Sequence, residues 1–145
     1  MNDRFNDRFK FRIWDEGFGN IYYPQDLEND YIEIDCNGEL LGYETYGLWV
    51  GGVNCIPMQC TGLKDKNGTL IYEGDIVKYT SKSSKSNPDK EPYTENFKVV
   101  WDEQGGSYVS QRANGANCQN VAIERNQLEV IGNIYENPEL LKSEE

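Results

Sequence analysis

The sequence contains no histidine. Every catalytic triad built on imidazole is therefore excluded, because these triads need a side chain that accepts and returns a proton near neutral pH. A zinc site would need all four thiolates, Cys36, Cys55, Cys60 and Cys118, or help from carboxylates. Cys55 and Cys60 are separated by four residues and have no close partner pair, so buried or half-buried free thiols are the expectation. No apolar run approaches the ~20 residues that span a bilayer as a helix. The opening MNDRFNDRFK is polar and charged, unlike a secretory leader. These absences together point to the cytosol.

Positive charge is also scarce. Fourteen basic residues stand against 25 acidic ones, for a net charge of −11. A duplex-binding module displaces counterions with a positive footprint, and none exists overall. The longest basic stretch, Lys82 to Lys90, is interrupted by serines, a proline and Asp89. An anionic membrane is disfavoured for the same reason. The acidic surplus has two readings. One is solubility; the other is a decoy whose carboxylates occupy a basic nucleic-acid groove on another protein.

Several motifs are missing. There is no G-x-x-x-x-G-K-[ST] phosphate loop and no G-x-G-x-x-G. The acidic pairs Asp102-Glu103 and Glu144-Glu145 are common surface features, and glycoside chemistry needs opposed carboxylates about 5–9 Å apart. A two-metal nuclease needs clustered acids, which 25 carboxylates can mimic by chance. Apolar residues at i, i+3, i+4 and i+7 are absent over any long stretch, which excludes coiled coils and helix bundles.

Core material is present. Ten Tyr, five Phe and three Trp run from Phe5 to Tyr135, and 145 residues suffice for one domain, taken here as residues 1–145. The doubled NDRF at 2–5 and 6–9 is too short for a structural repeat, and residues 1–8 read as a frayed lead-in. In FKFRIWD (9–15), Phe9, Phe11 and Ile13 alternate with Lys10, Arg12 and Trp14, the period of a half-buried strand that Gly17, Gly19 and Asn20 end. Pro24, Gln25 and Asp26 suggest a turn, with one helical turn at most. Asn37-Gly38 marks a hairpin over about 31–45. In 46–60 the glycines and bulky residues allow no clean assignment. Trp49 and Val50 there read as partly buried packing or as an exposed aromatic patch for a partner.

In TGLKDKNGTLIYEGDIVKYT (61–80), Asn67-Gly68 is a second turn signal and Gly74-Asp75 interrupts an apolar run. Glycine in a strand marks a bulge or close backbone approach. Asp75 can fix the bend by accepting backbone N–H groups. Its alternative role is a catalytic carboxylate, for which no acid, base or nucleophile signals itself as partner. Residues 80–93 read as a mobile polar loop. A hairpin follows, with Phe97, Val99 and Trp101 on one face, a Gly105-Gly106 turn, and Tyr108 and Ser110 on the return strand. RANGANCQN (112–120) reads as a loop. Leu128, Val130 and Gly132 alternate with Glu129, Ile131 and Asn133 in a late strand. Asn137-Pro138-Glu139 then reads as an N-cap, a first-turn proline and an acidic first turn, starting a short helical turn that ends near Leu141. The expected fold is mainly β: a small barrel-like antiparallel domain with short helical turns, one at the C-terminus.

FRIWD (11–15), TGLKDKNGTLIYEGDIV (61–77) and VIGNIYENPELL (130–141), in that order, resemble the YopX family. These are small proteins encoded by phages and prophages of bacteria. The resemblance implies a β-rich, barrel-like fold in the cytoplasm of a bacterial host, and it brings no established activity and no catalytic residues. Residues 16–60 and 80–93 match least. No catalytic, cofactor-binding or metal-binding residue is assigned, and no cofactor is expected. The leading functional expectation is a non-catalytic accessory module that binds a host or phage protein, or a second copy of itself. A nucleic-acid-binding barrel that stacks bases on its tyrosines is the second reading. A carboxylate- and metal-dependent enzyme is the third.

Overall fold

The computed structural model describes residues 7–24, 31–34, 36–43, 55–82 and 89–142. The expected β class is observed, with antiparallel sheets, one of them a half-barrel. The chain divides into two units, Lys10–Gln59 and a second made of Met1–Phe9 with Cys60–Glu145.

In the Lys10–Gln59 unit, β1 (Phe11–Asp15) lies between β2 (Asn20–Tyr22) and the first half of β5 (Cys55–Lys64). The glycines after β1 do more than end it. They build a hairpin turn in which Gly19 N–H donates to the Asp15 carbonyl at 2.8 Å, with Gly19 at φ +70°. The Asp15 carboxylate accepts from the N–H of Gly17 at 2.8 Å and of Phe18 at 3.3 Å. The turn therefore returns the chain into β2, a strand the periodicity does not announce. The hairpin marked by Asn37-Gly38 is present as β3 (Tyr31–Ile34) and β4 (Leu40–Tyr43), with Gly38 at φ +81°.

The alternation read over 9–15 needs two corrections, the first being that Phe9, grouped with Phe11 and Ile13, precedes the strand and is 62% exposed. Ile13 is fully buried as expected, but Arg12, assigned to the outward face, is also buried. Its guanidinium donates towards the Tyr23 hydroxyl at 3.4 Å and the Met58 sulfur at 3.8 Å. Both faces of the strand are covered, and the long apolar stem of arginine tolerates burial that its charge alone would resist.

In the other unit, the second half of β5 pairs with β6 (Leu70–Tyr72). A five-stranded sheet follows in the order β10-β9-β8-β7-β11. Its strands are β7 (Asp75–Thr80), β8 (Thr94–Asp102), β9 (Ser107–Gln111), β10 (Asn117–Asn120) and β11 (Leu128–Asn133). The 97–110 hairpin is seen as β8 and β9. RANGANCQN is corrected from loop to hairpin. Arg112 N–H donates to the Ala116 carbonyl, Gly115 takes φ +93°, and β10 returns alongside β9. Polar residues at an edge strand carry no apolar alternation, which is why the pattern is silent there. After β10 come one helical turn, α1 (Val121–Glu124), and a 3₁₀ turn, Arg125–Gln127.

One face of this sheet carries the core: Ile71, Val77, Phe97, Val99, Val121 and Leu128, with Leu63, Tyr79, Tyr108 and Val130 against them. The register pairs Val77 with Phe97 and with Val130, so residues two apart on each strand point inward together. Each such buried side chain stabilises the fold by roughly 1.5–3 kcal/mol. The expected C-terminal turn is present as a 3₁₀ turn, Pro138–Leu141, with proline at its start. Its predicted cap is not formed. The Asn137 side chain makes no cap hydrogen bond and instead accepts from the Asn133 N–H at 3.2 Å. The grip on β11 replaces the cap. Among the described residues no helix is long and apolar enough to cross a membrane.

Candidate functional site

Asp75 sits where the chain leaves β6 and enters β7. Gly74 takes φ +86°, and Asp75 is 1% exposed with one carboxylate oxygen accepting from the Tyr72 N–H at 2.7 Å. Gly74 also donates to the Val99 carbonyl and accepts from the Ile134 N–H, both at 2.9 Å. The pinned corner expected from Gly74-Asp75 is therefore observed, and it joins three strands.

A second aspartate does similar work without having been singled out. Asp65 is buried, and one of its oxygens accepts from the N–H of Asn67 at 2.8 Å and of Thr69 at 2.9 Å. The other oxygen accepts from the Val130 N–H at 2.8 Å, on β11. An aspartate two residues before an Asn-Gly turn is the available sequence signal, since such side chains cap their own turn. The reach to Val130, 65 residues away, has no local signature.

The other flagged residues fall apart spatially. Cys60 is buried, Cys55 half-buried, and Cys36 and Cys118 exposed. Among the described residues no group of three His, Cys, Asp or Glu side chains could hold a metal ion. Asp102 serves the β8–β9 turn, accepting from the Gln104 N–H through its carboxylate and from the Gly106 N–H through its carbonyl. Trp49, Val50, Gln25, Asp26, Glu144, Glu145, the doubled NDRF up to Asn6 and the middle of the basic stretch, 83–88, lie outside the described residues. Of the aromatics, Tyr79 packs edge-on against Phe97 and tilted against Tyr93. Trp101 is 47% exposed, with its ring edge-on to Tyr108 at 4.9 Å.

Burial raises the Glu73 carboxyl above its usual range. Tyr108 is pushed up to about 12, first by burial and then by the nearby Glu73 and Cys60. Burial likewise raises Glu124, and it raises Tyr79 together with the charge of Glu124.

A groove lies over β7 and β8 and has a volume of about 880 Å³. β7 contributes Lys78, and β8 contributes Thr94, Glu95 and Asn96. The β9–β10 turn adds Arg112, Ala113 and Asn114, and the C-terminal 3₁₀ turn adds Glu139, Leu140, Leu141 and Lys142. Lys78 and Asn96 are direct cross-strand partners, so their side chains share one sheet face. Asn96 moors the C-terminal wall by donating its amide to the Leu140 carbonyl at 2.8 Å. Arg112 forks onto Glu95 at 2.8 and 3.5 Å, and that hydrogen bonding raises its already high pKa. Lys78 and Lys142 make no ion pair among the described residues. Sequence reasoning missed this site because its lining comes from four separated segments, none of which forms a motif.

A family model described as "YopX protein" matches residues 10–142, a span that holds every residue lining the groove. Among solved structures, protein yopX from Bacillus subtilis aligns with a TM-score of 0.61 and 25% identity, over 94% of this chain and 98% of that one. Protein EF1440 from Enterococcus faecalis aligns with a TM-score of 0.53 and 27% identity, over 92% and 97%. No match is found among curated proteins.

Proposed function

This chain belongs to the YopX family, matched over residues 10–142, and from that premise we propose that it is a non-catalytic interaction module seating a segment of a protein partner in the β7–β8 groove. The partner is a host or phage protein met in the bacterial cytoplasm. The groove's lining carries the reading. It combines cations, carboxylates, amides and two leucines, so it offers both hydrogen-bonding and apolar contacts to a peptide segment. Of the buried carboxylates among the described residues, Asp65 and Asp75 are engaged with backbone N–H groups, and Asp7 and Glu124 do not line the groove. A catalytic carboxylate needs an oxygen within reach of a substrate proton.

Ala113 lies in the exposed β9–β10 turn on the groove's rim, so Ala113→Trp fills the groove without entering the core. The test immobilises the protein and its Ala113→Trp variant, recovers ligands from bacterial lysate, and measures binding of each purified ligand to both. The expected result is a partner that binds the native protein and loses about ten-fold or more in affinity to the variant, a difference of ~1.4 kcal/mol. Equal binding to both, or nothing recovered above background across a range of salt, refutes the reading.

A further inference from the structure

We propose that the segment taken by this groove is acidic, its carboxylates read by Lys78 and Lys142. The inference rests on the groove reading above and adds the chemical class of the ligand.

In a chain with 25 acidic and 14 basic residues, exposed cations have carboxylates to spare as partners. Lys66 takes Glu129 at 3.8 Å and Arg112 takes Glu95 at 2.8 Å. Lys78 and Lys142 line the same groove, and neither makes an ion pair among the described residues. Because the fork from Arg112 satisfies Glu95, Glu139 is the one lining carboxylate set against two unengaged ammonium groups. The lining therefore carries three cations against two carboxylates on a molecule of net charge −11, and Glu129, the neighbour of Lys78 on β11, is taken by Lys66.

Distant carboxylates do not cancel that excess. At physiological ionic strength exposed charges are screened beyond about 8 Å. Further donors stand beside the lysines. Asn114 uses its side-chain oxygen to accept from the Ala116 N–H, which leaves its amide nitrogen without a partner among the described residues. Such uncommitted donors match carboxylate oxygens.

The lining also separates peptide from nucleic acid. Single-stranded nucleic acid is held by stacking on aromatic side chains along a basic track, and no aromatic residue lines this groove. Ala113, Leu140 and Leu141 offer the apolar contacts that a peptide's side chains use.

The test titrates the native protein with a short labelled peptide of glutamate and leucine, its glutamine counterpart, inorganic phosphate and labelled oligothymidylate. The titrations are repeated on Lys78→Gln, Lys142→Gln and, as a control in the exposed loop, Lys90→Gln. Circular dichroism verifies the fold of each variant. The glutamate peptide is expected to bind saturably and about ten-fold or more tighter than the glutamine one. Each groove substitution should weaken it several-fold and Lys90→Gln should leave it unchanged. The proposal is overturned if the glutamine peptide binds equally well, if both groove substitutions are silent, if phosphate or oligothymidylate competes equally, or if nothing binds. When the ligand class fails but Ala113→Trp still abolishes partner binding, the groove reading survives; equal partner binding by Ala113→Trp removes both.

Discussion

At the residue scale, two aspartates hold backbone together and one glutamate works against the fold. Removing Asp65 leaves the N–H groups of Asn67, Thr69 and Val130 without their acceptor. Hydrogen bonds to a charged group contribute about 1.5–3 kcal/mol each, and water re-solvates the turn amides more readily than Val130. Asp65→Ala should therefore lose about 3 kcal/mol in urea unfolding, and Asp75→Ala about 2 kcal/mol. Asp75→Asn should lose less than Asp75→Ala, because it keeps an acceptor for Tyr72.

Glu73 has the opposite sense. Its carboxyl is raised above 4.5 by burial, so the charged form is disfavoured in the native state. Such a group's contribution is intact while the carboxyl is protonated and is lost as pH rises through the folded value. Glu73→Gln should melt higher than the native protein at pH 7, with the advantage shrinking as pH falls through the folded value and gone below about pH 4.5. Tyr108 follows the same sign at the alkaline end. Its ordinary value of 10.0 becomes about 12 on folding, so its contribution is intact below pH 10 and disappears between pH 10 and about 12. Ultraviolet titration of Tyr108→Phe should lack a tyrosinate transition near pH 12 that the native protein shows.

At the scale of elements, β5 explains best what the sequence does and does not disclose. Residues 46–60 resist assignment, yet Cys55–Lys64 is the longest described strand. Pro57 hides it, since proline is unwelcome in a ladder, while the alternate burial of Met58 and Cys60 is the true signal. Gly62 lies inside the same strand with φ +77°, at a shift in the β5–β6 register. A Cβ there would come within 2.8 Å of the Arg8 Cβ and 3.2 Å of its Cα. The rule that strand glycines mark bulges or close approaches thus applies at Gly62, whereas Gly74 lies in the turn between β6 and β7. Gly62→Ala combines a positive φ with a backbone collision and should cost about 2 kcal/mol or more in chemical denaturation.

The hairpins announced by Asn-Gly and Gly-Gly turns, the core strands β7 and β8, and the closing 3₁₀ turn were legible because turn chemistry and apolar alternation are local. The edge strand β10, the burial of Arg12 and the grip of Asn137 were not, because each depends on what another segment covers. Asn137 also bears on β11: a Cβ on Gly132 would lie 2.5 Å from its side-chain oxygen. The groove was the least legible feature of all, since only the folded sheet brings Lys78 beside the Leu140–Lys142 wall.

At the scale of the molecule, charge is unevenly distributed along the chain. Residues 10–59 contain nine carboxylates and two cations, a net of −7 out of −11 overall. Self-repulsion of that density disfavours compaction and is relieved by screening. Raising sodium chloride from about 20 to 300 mM, which shortens the screening length from roughly 20 to 6 Å, should raise the melting temperature by a few degrees. A melting temperature that falls over that range would show that attractive pairs such as Arg112–Glu95 outweigh the repulsion.

The two oxygens of Asp65 also impose an order in time. The oxygen that serves Asn67 and Thr69 finds its amides within one turn of chain, and such loops close in well under a microsecond. The oxygen that serves Val130 must wait for a strand made 65 residues later, at about 5–20 residues per second. A nascent chain that has not yet exposed Leu128–Asn133 lacks both this latch and the outer partner of β7. Completion of the sheet therefore lags behind emergence of the conspicuous middle of the sequence, by the time taken to make the 65 residues between Asp65 and Val130.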